Sequence, residues 1–240
     1  MGKNFPQFYR KPVILNRDAH ADMTVSPSPE GYLFAASAQT VLMAGVEFFD
    51  ACRQFPIIFS PTANGTIIPL TLMGLENGEN LFVDKQGDWL GTYIPAYIRR
   101  YPFITTDGQD GQMTVCFDEA FDGFNLNGGL PLFENGNPSQ KMNEIMSFLK
   151  DYYRQMKETE SFCATLANAG LLRQIDAQAN LTDGRSYALN NMLVVDEQRL
   201  IQLPDIDIIR LFRNGMMALI NAHFVSLRNL GILIDRKTAR

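Results

Sequence analysis

The two histidines offer the clearest chemical possibility in this sequence, because the 240 residues contain only His20 and His223. His20-Ala21-Asp22 is a His-x-Asp pair, and His223 would add a second imidazole. Two histidines and one carboxylate form the ligand set that holds iron(II) in non-heme oxygenases, with open positions left for the reactants. His20, Asp22 and His223 are therefore a candidate metal site, with iron(II) as candidate cofactor and an oxygenase-like enzyme using 2-oxoglutarate as the implied activity.

The spacing of these residues favours a structural role over chemistry. Roughly 200 residues separate the two halves of the site, and Asp22 is equally typical of a turn. His223 falls in line with Leu219 and Leu227 at helical spacing, which is typical of a core histidine with a hydrogen-bonded ring. Acid–base chemistry without a metal is a further alternative, with Glu47 as a partner that would orient a histidine. We expect a buried or capping role for both histidines ahead of either chemical role.

A second candidate site combines two adjacent arginines with three tyrosines. Arg99-Arg100 is flanked by Tyr93, Tyr97 and Tyr101. Guanidinium groups bind carboxylates and phosphates with two parallel hydrogen bonds, and tyrosines stack on rings. The cluster is thus a candidate binding site for a small molecule that carries a carboxylate, phosphate or sugar. A structural alternative is a helix turn with one arginine paired to an acid.

Motifs that would identify an enzyme class are missing from the sequence. We find no Gly-x-Ser-x-Gly, no Gly-rich phosphate loop and no Cys-x-x-Cys. Hydrolase, nucleotide-binding and redox functions therefore have no positive support, and whether the protein is an enzyme stays open. Trp89, the single tryptophan, follows the turn Asp84–Asp88 and is expected to pack in the core rather than to contact a partner.

Composition and charge favour an ordinary globular protein of the cytoplasm. The chain is 46% hydrophobic and 20% charged, and its net charge of −5 argues against binding to nucleic acid. Cys52, Cys116 and Cys163 are widely spaced in apolar stretches, which favours buried thiols over disulfides or a zinc site. The N-terminus lacks the apolar segment of a signal peptide, and no run of 18 apolar residues is present, so we expect neither export nor a transmembrane segment.

Apolar runs bounded by Gly and Asn predict an antiparallel, hairpin-rich sheet. Turns are expected at Asn64-Gly65, Asp107–Gly111 and Thr182–Gly184, and residues 118–136 are expected to form a long loop. The predicted strands are Val13–Leu15 at a sheet edge, Ile57–Phe59, Ile67–Met73, Leu81–Val83, Pro102–Thr105, Met113–Phe117, Arg173–Gln178, Arg185–Leu189 and Met192–Val195.

Apolar spacings of three and four predict several helices that pack on this sheet. They are Gln39–Phe55, a short helix within Tyr93–Arg100, a long stretch over about 138–169 capped by Asn137-Pro138, and a C-terminal helix over about 204–227. A break near 157–160 is expected in the long stretch. With no repeat and no linker, the fold class is α+β in one domain, residues 1–240.

Four blocks of this sequence resemble those of the SapC family of bacteria. They are Leu15–His20, Gly74–Asp84, Tyr93–Phe103 and Ala222–Leu230, and together they follow nearly the whole chain in order. The family shares its name with a permease of peptide transporters, which the lack of a predicted membrane span excludes here.

The resemblance implies a soluble accessory or interaction protein of Gram-negative bacteria. Similar proteins are often encoded beside TonB-dependent receptors, flavin-dependent halogenase-like proteins and cupin-like proteins. We therefore expect a protein partner from an uptake or surface-modification system, with a small-molecule ligand as a further possibility. A structural role in the surface layer fits poorly, because such a subunit must leave the cell and no signal peptide is visible.

Overall fold

The larger of the sheets has five antiparallel strands. This computed structural model describes residues 5–107 and 113–240. The five strands are β3 (Thr40–Leu42), β4 (Ile57–Pro61), β5 (Ile67–Leu72), β11 (Leu172–Asn180) and β12 (Ser186–Val195), and their spatial order is β11-β12-β4-β5-β3. β4 and β5 form the predicted hairpin across Asn64-Gly65, where Gly65 has a φ of +82° that suits glycine. β11 and β12 form the second predicted hairpin, with a register shift between Ile175 and Ala177.

A second sheet has three antiparallel strands, β1 (Pro12–Ile14), β6 (Phe103–Asp107) and β7 (Met113–Asp118). Their spatial order is β1-β7-β6, so the first strand is an edge strand as predicted. The turn predicted at 107–111 lies, after Asp107, outside the described residues. Two-residue strands form the small pairs β2 (Thr24–Val25) with β8 (Leu130–Pro131) and β9 (Phe133–Glu134) with β10 (Asn137–Pro138).

Helices cover these sheets, and the predicted α+β class is confirmed. The α-helices are α1 (Phe48–Ala51), α2 (Ala96–Arg99), α3 (Gln140–Asn168), α4 (Glu197–Ile201), α5 (Asp205–Arg213), α6 (Met216–Ser226) and α7 (Leu230–Thr238). The cap of α3 is Ser139, whose hydroxyl accepts a hydrogen bond from the Met142 backbone N–H, while the predicted cap Asn137-Pro138 lies in β10.

The helix predicted over Gln39–Phe55 is wrong. The segment contains β3, a 3₁₀ turn at Gly45–Glu47 and the four-residue α1. Val41 and Met43 are buried two positions apart as in a strand, and Phe48 and Ala51 three apart as in a helix. Because β3 and α1 follow each other closely in the chain, their apolar positions taken together match the spacing of a single helix.

Two further predictions need correction. Residues 81–83 form a turn with one isolated bridge from Val83 to Trp89 instead of a strand. The long helix α3 runs through 157–160 without a break, and Lys157 pairs with Glu160 across one turn. The C-terminal helix predicted over about 204–227 is present as α5 and α6, which are separated where Gly215 takes a φ of +73°, and α7 extends the helical region to Thr238.

Two hydrophobic clusters fill the interior, and α3 contributes to both of them. Its N-terminal half places Met142 and Leu149 in the smaller cluster, next to the three-stranded sheet. Its C-terminal half places Phe162 and Leu166 in the larger cluster, next to the five-stranded sheet. A helix of 29 residues is about 43 Å long, which is enough to join the two regions.

The stretch Met216–Thr238 is long and apolar enough, by length and composition alone, to cross a membrane. Core helices of globular proteins meet the same criterion, and here 33% of the apolar window is buried within the fold, including His223, Ser226 and Leu233. The expected absence of a transmembrane segment stays a prediction.

Candidate functional site

A cleft of about 680 Å³ lies between α2, the N-terminal half of α3 and the smaller hydrophobic cluster. Most of its wall is apolar, with Phe34 and Tyr101 on one side and Phe148 and Leu149 of α3 on another. Phe34 and Tyr101 stack at a ring-centroid distance of 4.2 Å. This volume is within the range of small-molecule sites.

The charged residues that line the cleft are mainly basic. They comprise three cations, Arg99, Arg100 and Lys141, and one anion, Glu144, which leaves a local net charge of +2. Lys141 and Glu144 pair with each other at 3.4 Å. The whole chain has a net charge of −5, so the cleft is a positive region of an acidic protein.

Arg100 is the distinctive side chain of this cleft. Its guanidinium carbon lies 3.9 Å from the ring centroid of Tyr97 and 5.2 Å from that of Tyr152, so the cation rests among aromatic rings. Its Nε is buried without a hydrogen-bond partner, and within residues 5–107 and 113–240 no carboxylate lies within 4 Å of it. A buried donor without a partner costs about 1–3 kcal/mol of free energy, and without a nearby carboxylate the positive charge of the guanidinium is left uncompensated.

Arg99 has a different environment from its neighbour. Its Nε donates to the Ile94 carbonyl at 2.9 Å, and its guanidinium packs 5.3 Å from the Phe148 ring centroid. Arg99 and Phe148 line both the cleft and a second cavity of about 280 Å³. The two cavities therefore adjoin at these side chains.

The second cavity contains the buried carboxylate of Glu47. Its Oε1 accepts hydrogen bonds from the Tyr93 hydroxyl and the Ala96 backbone N–H, both at 2.7 Å, and its Oε2 accepts one from the Ala44 N–H at 2.9 Å. Burial raises the pKa of Glu47 above its ordinary value, although these hydrogen bonds oppose the shift. Glu47 thus ties the 3₁₀ turn at Gly45–Glu47 to the start of α2, and it does not serve the histidines as an acid–base partner.

The short helix α2 sets the positions of both arginines. Pro95 precedes it in an extended conformation, and Tyr97 and Ile98 are buried against the core. Burial of these two side chains holds Arg99 and Arg100 at the edge of the helix that borders the cleft. Tyr101, which follows, donates from its hydroxyl to the buried Asp118 at 3.1 Å, and the Tyr101–Pro102 peptide bond is cis.

The five predicted ligand-binding residues are thus close together but differ in role. Arg99, Arg100 and Tyr101 line the cleft, and Tyr93 lines the second cavity. The ring of Tyr97 packs against the guanidinium of Arg100. Burial raises the pKa of Tyr93 and of Tyr101, so both hydroxyls stay protonated as hydrogen-bond donors. Ligand binding by this set stays a prediction.

The candidate metal residues are not brought together. His223 is fully buried, its Nδ1 lies 2.9 Å from the Ile57 carbonyl, and its Nε2 accepts from the Val195 N–H at 3.1 Å. Since the only lone pair of this neutral ring is engaged, His223 does not fit as an iron ligand. His20 hydrogen-bonds the Asn16 backbone and packs edge-on to Phe117 in the other sheet region, and Asp22 is exposed. Among the described residues no three His, Cys, Asp or Glu side chains are arranged to hold a metal ion.

Sequence reasoning missed the residues that complete the cleft. Tyr152 contributes a ring beside Arg100, while Phe34 and Phe148 form apolar walls, and none of them is near α2 in the chain. The apolar spacing of α3, which includes Tyr152, predicted an amphipathic helix but not a cavity. No local motif would have revealed these contacts.

The fold and the cleft define an α+β protein with a basic, aromatic-walled cavity. Comparison with family models gives a match to SapC over residues 15–233. Because the match spans most of the chain, this protein belongs to the SapC family. Searches of the curated proteins and of the solved structures found no match.

Proposed function

We propose that this protein is a binding protein whose cleft takes an apolar molecule that ends in a carboxylate or another oxyanion. The observation that carries the proposal is Arg100, which lines the cleft, has no hydrogen-bond partner at its Nε and, among the described residues, has no carboxylate within 4 Å. An oxyanion in the cleft would pair with the guanidinium and neutralise the local positive charge.

The walls of the cleft support the apolar part of the ligand. Phe34, Tyr101 and Phe148 present rings to a volume of about 680 Å³, which suits a ring system or an aliphatic chain. Arg100 is already held among Tyr97, Tyr152 and, at 5.9 Å, Tyr9. A side chain restrained in this way loses little conformational entropy on binding, so more of the interaction energy contributes to affinity.

The proposed setting is an accessory role in the cytoplasm of a Gram-negative bacterium, beside a protein partner from an uptake or surface-modification system. Family resemblance supports this setting, and the ligand would be a molecule that such a system imports or modifies. Affinity purification from the native host tests it, and failure to recover a specific partner under several growth conditions would count against it.

Calorimetric titration with paired probes tests the ligand chemistry. Decanoate and 4-phenylbutyrate carry a carboxylate on an aliphatic and an aromatic body, and their primary amides have nearly the same shape without the charge. A charge-assisted hydrogen bond contributes about 1.5–3 kcal/mol, so the acids should bind about 10- to 150-fold more tightly than the amides. Arg100→Met should remove this preference while leaving weak binding of both forms.

Arg173→Met is the matched control, because Arg173 is exposed on β11, away from the cleft. It should bind the acids as the wild type does. Equal affinity for acid and amide, or an acid preference that survives Arg100→Met in a protein with an unchanged melting temperature, would refute the proposal.

A further inference from the structure

Helix α5 exposes a row of large apolar side chains to solvent. Ile206, Ile209 and Phe212 follow one another at a spacing of three, and their exposed fractions are 59%, 43% and 73%. The opposite side of the helix packs inward through Leu211, which is 4% exposed. A helix needs one apolar face for the core, and this one has a second.

Opposite charges stand at the two ends of the exposed face. Asp205 is the first residue of α5 and Arg213 is the last, and both are exposed. At about 100° per residue, Asp205 and Arg213 lie within about 40° of Ile209 on the helical wheel. Along the helix, this face therefore carries an acidic residue first, then the apolar row, and then a basic residue.

This face is complementary to itself under a two-fold rotation. Residue 209 is the midpoint between 205 and 213 and also between 206 and 212. An axis through Ile209 sets Asp205 of one helix opposite Arg213 of the other, Ile206 opposite Phe212, and Ile209 opposite itself. Such self-complementarity is the requirement of an isologous dimer.

We infer that α5 is the interface with a second copy of this chain, with the two α5 helices antiparallel about an axis at Ile209. A lipid surface fits less well, because an acid lies on the same face and membrane-surface helices carry mainly Lys and Arg beside their apolar side. The helix is about 13.5 Å long, so the interface is small and the dimer is of the weak, reversible class.

Sedimentation velocity across about a hundredfold range of micromolar concentrations measures this dimer. Asp205→Arg and Arg213→Asp each place like charges at both symmetric contacts, and each should weaken association at least about tenfold. The double variant Asp205→Arg/Arg213→Asp restores opposite charges and should recover association to within about threefold of the wild type. Asp18→Arg makes the same charge change at a side chain that is 85% exposed elsewhere, and it should leave association unchanged.

Cross-linking provides a readout that does not depend on the charge variants folding equally well. In a Cys52→Ser background, Ile209→Cys lies on the axis, and a bismaleimide that spans about 8–10 Å, the distance between packed helices, should join two copies. Val225→Cys is the matched control, because this side chain is 57% exposed on α6 and should not cross-link. A monomer at all concentrations, a dimer insensitive to both single reversals, or a monomer that binds phosphatidylglycerol vesicles through Phe212 would overturn the inference.

Discussion

His223 makes the stability of this protein depend on pH in a way that can be worked out from its contacts. Complete burial lowers the pKa of the imidazole from 6.5 to about 4, and the hydrogen bond to the Ile57 carbonyl only partly opposes this. The ring stays neutral at pH 7, because it lies between β4 and β12 with both nitrogens engaged. Protonation would convert the acceptor Nε2 into a second donor that faces the Val195 N–H.

The sign of the effect follows from proton uptake in the two states. In the unfolded chain His223 binds a proton near pH 6.5, whereas in the folded protein it does so only near pH 4. Its contribution to stability is therefore complete above pH 6.5 and is lost as the pH falls from 6.5 to 4. Since each pKa unit corresponds to about 1.4 kcal/mol, the loss is about 3 kcal/mol.

Urea denaturation of the wild type and of His223→Gln between pH 7 and pH 4 measures this loss. Glutamine can accept from Val195 and donate to Ile57 but does not titrate, so the free energy of unfolding of the variant lacks the His223 contribution to the pH dependence. Other groups, including Glu47, affect both proteins alike and cancel in the difference. The wild type should lose about 3 kcal/mol more than the variant over this range. Parallel pH profiles would refute the assignment of a neutral, buried His223.

Two further predictions concern the loop over 74–90. Gly87→Ala should lower the free energy of unfolding by more than about 2 kcal/mol, because the φ of Gly87 is +88° and the added Cβ would collide with the Glu30 carbonyl. Gly65→Ala should lower it by about 1 kcal/mol, because Gly65 has a similar φ of +82° but open space around it. Chemical denaturation compares the two, and equal losses would contradict the packing described here. Lys237→Met should destabilise by about 2–4 kcal/mol because it leaves the largely buried Glu79 carboxylate without its cation, whereas Glu76→Gln, at a half-exposed partner, should cost less than about 1 kcal/mol. If thermal melts show that Glu76→Gln destabilises the protein more than Lys237→Met does, the importance assigned to the buried Lys237–Glu79 pair is wrong.

The hairpins and the long helix were predictable because their signals are local. Asn64-Gly65 and Thr182–Gly184 are turns whose glycines adopt positive φ, and α3 has an apolar stripe long enough to be unambiguous. The helix predicted at Gln39–Phe55 failed because β3 pairs with β5, a contact of distant segments that local spacing does not reveal.

The candidate sites were likewise predictable where residue types gave a local signal, and not where distant segments meet. Adjacent arginines among tyrosines pointed to the region around α2, since guanidinium and ring chemistry depend on residue type. The partners Tyr152 and Phe34 come from distant parts of the chain. Only the fold shows that Arg100 has aromatic neighbours and that, among the described residues, no carboxylate lies within 4 Å of it. His20 and His223 suggested a metal by composition, and the fold instead uses each ring to satisfy backbone groups.

The passage of α3 through both hydrophobic clusters ties the shape of the cleft to distant packing. Phe148 and Leu149 form part of its wall, while Phe162 and Leu166, on the same uninterrupted helix, anchor it in the larger cluster. A rigid helix transmits a shift of its anchored end along its length, so a cavity created at Phe162 would move the wall of the cleft without touching a lining residue. Substitutions at the far end of α3 would therefore be able to change the shape of the cleft, with the lining residues themselves unchanged.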